Sequence, residues 1–205
     1  MDKEAQSKRK KRLWPVIGIV SAILVAVILW LCLSRGGLVS PSPTLKIESP
    51  QKRAFGDSAP FTVDVTLSAL GEALYPAASL SVDFDRSRLE FLGVEEGNLP
   101  VTDGASGEML PAWSVDPEQC NKSGIIRIMY LDMTGGKYAF SEKLVDGTDN
   151  VVLRLSFRLR GSARRGDVYE LNVADAVFAA NEEAESLASI RGTLKTVNGR
   201  IAVEK

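Results

Sequence analysis

Residues 151–160 read VVLRLSFRLR, setting Leu153, Leu155, Phe157 and Leu159 against Arg154, Arg158 and Arg160 at a strict period of two. An extended strand keeps such residues on one face, whereas a helix scatters them around its axis. The pattern recurs in FTVDVTL at 61–67, where Phe61, Val63, Val65 and Leu67 share a face, and in ASLSVDF at 78–84, with Leu80, Val82 and Phe84. Further strands are predicted at 45–48, 89–94, 125–131, 168–173, 176–179 and 196–203. Turn signals fall between them: Glu96-Gly97-Asn98, Asp103-Gly104, Gly135-Gly136, Asp146-Gly147 and Asn198-Gly199. Many short strands at this spacing predict an antiparallel sandwich or barrel over residues 45–205, each sheet packed on one face and solvated on the other. Residues 181–190, NEEAESLASI, fit either a short helix capped by Asn181 or an acidic surface loop.

The chain ahead of this region has a different character. Residues 1–12 carry six Lys or Arg against two acids, and residues 13–33, LWPVIGIVSAILVAVILWLCL, carry no charge. As a helix that run spans roughly 31 Å, the thickness of a bilayer's hydrocarbon core. Trp14 and Trp30 fall near its ends, where amphipathic rings prefer the headgroup level, and the Lys8–Arg12 cluster orients the N-terminus to the cytoplasm. The run is longer than a signal-peptide core and lacks a small-residue cleavage site. The expectation is therefore a single-pass anchor at 13–33 behind a basic tail at 1–12. Residues 34–44, SRGGLVSPSPT, form a Gly/Ser/Pro linker. The domain at 45–205 is then extracellular and stays near the membrane. The net charge of −1 is a cancellation, because residues 36–205 carry 18 basic against 24 acidic side chains.

Composition excludes several chemistries. A chain with no histidine has no Ser-His-Asp or Cys-His nucleophile and no His-ligated zinc. Two cysteines cannot make a Cys₄ metal site or a disulfide framework. A near-neutral chain lacks the basic footprint of a nucleic-acid binder. Glu95/Glu96, Asp116/Glu118 and Glu182/Glu183/Glu185 sit in turn-like contexts and read as solvated loop charge rather than a glycosidase pair. Asp146-Gly147-Thr148-Asp149-Asn150 offers oxygens for Ca²⁺ but lacks the spacing of an EF-hand loop and reads as a turn. Cys120 reads as a small buried hydrophobe. Asn121-Lys122-Ser123 fits the N-glycosylation triplet, which also arises by chance. The chain is expected to be neither an enzyme nor a cofactor binder.

Two features bear on binding. Residues 125–131 read IIRIMYL; if Ile126, Ile128 and Tyr130 point inward, Arg127, Met129 and Leu131 point out. Exposed Met and Arg are enriched at protein-recognition surfaces. The same pattern also fits a strand buried on both faces. Phe61, Phe84 and Phe157 fall on apolar faces, which leaves Tyr75, Trp113 and Tyr138 as rings that could stack on sugars.

The ordered set of motifs resembles the cohesin family. It comprises LKIESP at 45–50, the Phe55-Gly56-Asp57 turn before FTVDVTL, and SLSVDFDRSRLEFLGVEEGNL at 79–99. It continues with GIIRIMYLDMTGG at 124–136, VVLRLSFRLRG, AVFAANEE and TVNGRIAV. The resemblance implies a nine-stranded antiparallel jelly-roll sandwich, within a superfamily that includes carbohydrate-binding modules. It also implies a module that captures dockerin-bearing proteins on one sheet and does not catalyse. Stretches 77–83, 112–115, 125–131 and 168–180 look like that sheet. Cohesins often place Asn and Asp where this sequence has Ala77 and Ser79. The outward candidates are Ala77, Ser79, Ser81, Asp83, Arg127, Met129 and Leu131. Any Ca²⁺ would belong to the dockerin partner. The function expected is tethering of dockerin-bearing, polysaccharide-degrading proteins at the cell surface. The alternatives are direct polysaccharide binding through Tyr75, Trp113 and Tyr138, or pairing with an envelope protein.

Overall fold

A computed structural model describes residues 42–49, 51–99, 112–142 and 150–204. The predicted tail at 1–12, the predicted span at 13–33 and the linker up to residue 41 lie outside the described residues, as do 143–149 with most of the Asp146–Asn150 turn. No described helix is long and apolar enough to cross a membrane.

The described residues form β1 (Thr44–Ile47), β2 (Gln51–Arg53), β3 (Phe61–Leu67), β4 (Ala77–Phe84), β5 (Leu89–Glu96), α1 (Pro117–Ser123), β6 (Ile125–Leu131), β7 (Val151–Leu159), β8 (Val168–Ala179), β9 (Leu187–Ala188), β10 (Lys195–Val197) and β11 (Gly199–Val203). They make two packed sheets, in the orders β10-β1-β3-β7-β5 and β2-β11-β8-β4-β6, with β9 added beside β8. The predicted sandwich is present, with eleven described strands instead of nine. It is not purely antiparallel, because β1 pairs with β10, and β2 with β11, in parallel.

Both parallel pairs have one cause. The chain leaves the five-stranded sheet after β1 and joins the other sheet as β2; it makes the same crossing between β10 and β11. The predicted single strand at 196–203 therefore breaks at Asn198. Asn198-Gly199 is a sheet switch rather than a hairpin turn. The Asn198 side chain accepts from the Val173 N–H at 2.9 Å and donates to Asn172 Oδ1 at 3.0 Å. Gly199 is required by proximity: a Cβ there would fall 2.3 Å from Ile47 Cγ2.

The predicted strands at 168–173 and 176–179 are one continuous strand. Its pairing with β4 shifts between Ser81 and Val82, leaving Ala174 as the extra residue. A bulge of this kind reverses the inward-outward phase, so a period-two reading sees two strands where there is one.

The core lies between the sheets in two aromatic groups joined by aliphatic side chains. Phe157 on β7 packs against Phe61, Phe84 and Phe91 with ring centroids 5.5–6.3 Å away. Phe140 packs against Trp113, Tyr130 and Phe178 at 4.9–6.0 Å. Burial of each large apolar side chain contributes roughly 1.5–3 kcal/mol. The outward side of the five-stranded sheet carries cross-strand ion pairs, Arg154–Asp64 and Arg158–Glu90, each at 3.1 Å. This matches the predicted outward Arg154 and Arg158.

α1 departs from the expected loop, in which Asp116 and Glu118 read as solvated charge. Its signals are nonetheless present. Asp116 caps it, its Oδ1 accepting from the Gln119 N–H at 3.1 Å, and Pro117 opens it. Gly124 closes it at φ 80°, donating to the Cys120 carbonyl at 2.8 Å. Residues 181–190 form a 3₁₀ turn (Glu183–Glu185) followed by β9; Asn181 does not cap a helix.

Candidate functional site

The outward face of β6, β4 and β8 gathers the predicted binding residues. β6 alternates without a break: Ile126, Ile128 and Tyr130 are buried, and Arg127, Met129 and Leu131 are exposed, Met129 by 66% and Leu131 by 55%. This decides between the two readings of IIRIMYL in favour of an exposed stripe. The alternation continues past the strand, since Asp132 is buried and Met133 is 85% exposed. The ladder continues as well, the Asp132 N–H donating to the Pro76 carbonyl at 2.7 Å.

Register orders the face into rows. Leu131, Ala77 and Ala179 lie side by side across β6, β4 and β8; Met129, Ser79 and Val177 form the next row, and Arg127, Ser81 and Asp175 the next. Ile125, Asp83 and Asn172 complete it. Two gradients follow. Along the strands the face runs from apolar near Met133 to charged near α1. Across them, Ser79 and Ser81 lie between longer side chains on β6 and β8, whereas Ala77 lies between Leu131 and the equally small Ala179. Rows are about 6.8 Å apart and strands about 4.8 Å apart, so the patch from Arg127 to Met133 is about 20 Å long. Ser114 pairs with Met129 through both backbone groups, at 2.7 and 3.0 Å, and covers part of the β6 edge, as expected for 112–115.

A buried carboxylate fixes the apolar end of the face. Asp132 accepts from the Thr134 N–H at 2.8 Å, the Thr134 hydroxyl at 2.5 Å and the Tyr138 N–H at 3.2 Å. Burial pushes its carboxyl up, but these bonds, with one from the Gly136 N–H, outweigh it and hold the group below its ordinary value. The loop after β6 is thus tied down around one side chain. Beneath the face, the Tyr130 hydroxyl donates to the Tyr138 carbonyl at 2.8 Å. Burial, first, and the nearby Asp132 charge push that phenol up.

The alternative site is not assembled. Tyr75 and Tyr138 are buried, and Trp113 is partly buried with its ring N–H donating to the Val152 carbonyl at 3.0 Å. The apolar end of the sandwich draws these rings inward, so they form no stacking platform. Asn121 is also committed. Its side chain accepts from the Phe91 N–H at 3.0 Å and donates to the Phe91 and Pro117 carbonyls at 2.7 and 2.9 Å. It occupies the β5 edge as a neighbouring strand would, which leaves its nitrogen unavailable to a glycan. Among the described residues no three His, Cys, Asp or Glu side chains are grouped as metal ligands.

No family model and no curated protein matches the sequence. Solved cohesin structures do match the fold. A type I cohesin in complex with a dockerin from Clostridium thermocellum superposes with a TM-score of 0.59 at 18% identity, covering 79% of this chain and 99% of that one. The sixth cohesin of scaffoldin B from Acetivibrio cellulolyticus, also bound to a dockerin, gives 0.57 at 20% identity, covering 80% and 99%. A non-cellulosomal cohesin from the archaeon Archaeoglobus fulgidus gives 0.50 at 12% identity, covering 80% and 92%. The two-sheet sandwich is therefore the cohesin fold.

Proposed function

We propose that the chain is a non-catalytic docking module that captures a dockerin-bearing protein on the outward face of β6, β4 and β8. The observation that carries this reading is the exposed row Arg127, Met129, Leu131 and Met133 beside the small side chains Ala77, Ser79 and Ser81. Exposed apolar side chains gathered on one face of a domain whose other sheet is covered by ion pairs call for a partner. The dockerin complexes among the cohesin structures of the same fold support that choice of partner. Small Ala77 and Ser79 in place of Asn and Asp indicate a partner held by apolar contact more than by side-chain hydrogen bonds. Polysaccharide-degrading proteins are the cargo this reading favours, with the uncharged run at 13–33 holding the module at the cell surface.

The test is calorimetric titration of the full-length chain, held in nanodiscs, with the dockerins encoded in the same genome. At least one dockerin should bind. The M129D/L131D double variant should weaken it by a hundredfold or more, because two carboxylates would be desolvated against apolar surface, with thermal unfolding unchanged. If no dockerin binds, the partner class is wrong. If the double variant binds as tightly as the parent, the face is wrong. Resistance of residues 13–33 to alkaline extraction from membranes tests the anchor.

A further inference from the structure

We propose that Met129 and Met133 are sites of reversible oxidation by peroxide-class oxidants, and that the modification releases the docked partner; this rests on the docking reading above. The chain has four methionines, of which Met129 and Met133 are the two among the described residues. Both lie on the docking face, at 66% and 85% exposure. The one cysteine among the described residues, Cys120, is buried in α1. Within the described domain, accessible sulfur is thus confined to the surface that meets the partner, and the core offers an oxidant none.

The reaction is a two-electron oxygen transfer. The thioether sulfur attacks one peroxide oxygen, the O–O bond breaks, an S=O bond forms, and the other oxygen leaves as water after proton transfer. The sulfur is oxidised and the peroxide reduced. The product is a polar, chiral sulfoxide where a flexible apolar side chain stood, and methionine sulfoxide reductases reverse it. Neither side chain contributes to the core, so the fold tolerates the change. The interface does not. Met129 shares its row with Ser79 and Val177, and Leu131 separates it from Met133 along the chain. On docking, two sulfoxide oxygens would lose water there, with a single serine hydroxyl, that of Ser79, in the Met129 row to replace it. Roughly tenfold weaker binding per sulfoxide is expected.

The experiment treats the full-length chain with dilute hydrogen peroxide. Peptide mass mapping locates the added oxygen, circular dichroism checks the fold, and titration with the dockerin identified above measures binding. The expected result is oxygen gained at Met129 and Met133, an unchanged thermal transition, affinity lowered tenfold to a hundredfold, and recovery after reductase treatment. The M129L/M133L variant, compared before and after treatment, should keep in peroxide whatever affinity it starts from. Oxidation at both methionines with unchanged affinity overturns this inference and leaves the docking reading intact. An equal loss in the leucine variant overturns it as well, because the damage then lies elsewhere. An untreated chain that binds no dockerin overturns both.

Discussion

Replacing Asp132 tests how the docking face is held. Its carboxylate accepts from Thr134 twice, from Tyr138 and from Gly136, and its side chain is only 6% exposed. In Asp132→Ala the Thr134 groups are near enough to the surface to regain water, but the Tyr138 N–H belongs to a buried residue. One buried donor left unsatisfied, plus the loss of charge-assisted bonds, amounts to about 2–3 kcal/mol. For a domain of this size that lowers the melting temperature by about 5–10 °C. Asp132→Asn keeps the shape but sets an amide against the same donors, and about 1–2 kcal/mol should be lost. The pH dependence separates charge from shape. The folded carboxyl titrates below its unfolded value of about 3.9. Its stabilisation is complete above that value and disappears as pH falls through the lowered folded one. Urea titrations followed by circular dichroism should show a clear gap between the parent and Asp132→Asn at pH 7 that narrows as the pH falls through the lowered folded value. A gap of the same size throughout, or none at pH 7, would refute the argument.

Three further outcomes follow from the packing. Phe157→Ala empties the centre of the Phe61–Phe84–Phe91 group and should cost about 3–5 kcal/mol in chemical denaturation. Gly199→Ala drives a methyl into Ile47 at the sheet crossing and should cost about 1–3 kcal/mol by chemical denaturation, with no relief from Ile47→Val, which keeps both Cγ2 and Cβ. Asn121→Ala uncovers the backbone of Phe91 and should cost about 1–3 kcal/mol by thermal unfolding, and a chain secreted through a glycosylating host should carry no glycan at Asn121 by mass spectrometry.

The sandwich was legible wherever one face of a strand is packed and the other wet. FTVDVTL and ASLSVDF each announce strand and facing at once, whereas IIRIMYL announces a strand but fits both an outward Arg127, Met129 and Leu131 and burial on both faces, and the exposure of those three residues decides it. Legibility failed where two or three residues do the structural work. Gln51–Arg53 and Leu187–Ala188 are too short to show a period. Ala174 inserts one residue and reverses the phase. Asn198 ends one strand and begins another in the opposite sheet, while its Asn-Gly pair signals a hairpin. α1 was missed even though Asp116, Pro117 and Gly124 mark both its ends, because seven residues give too few turns for an apolar stripe. Tyr75, Trp113 and Tyr138 are ambiguous in sequence because a ring near a strand end can close the end of a core as readily as stand in solvent. The role of Asp132 as the loop's acceptor depends on donors two to six residues away, which no period displays.

The position of β1 has a mechanical consequence. It lies between β3 and β10, bonded on both sides, with the Pro43 carbonyl accepting from the Lys195 N–H at 2.8 Å and the Thr44 carbonyl from the Ser68 N–H at 2.9 Å. Tension applied to the chain just before Thr44 and directed along the strand loads both ladders in shear. Their bonds must then yield together instead of unzipping singly. A pull at that point would therefore strain the domain where it is clamped from two sides, and the lifetime of the loaded fold would be set by the rate of forced unfolding rather than by equilibrium stability.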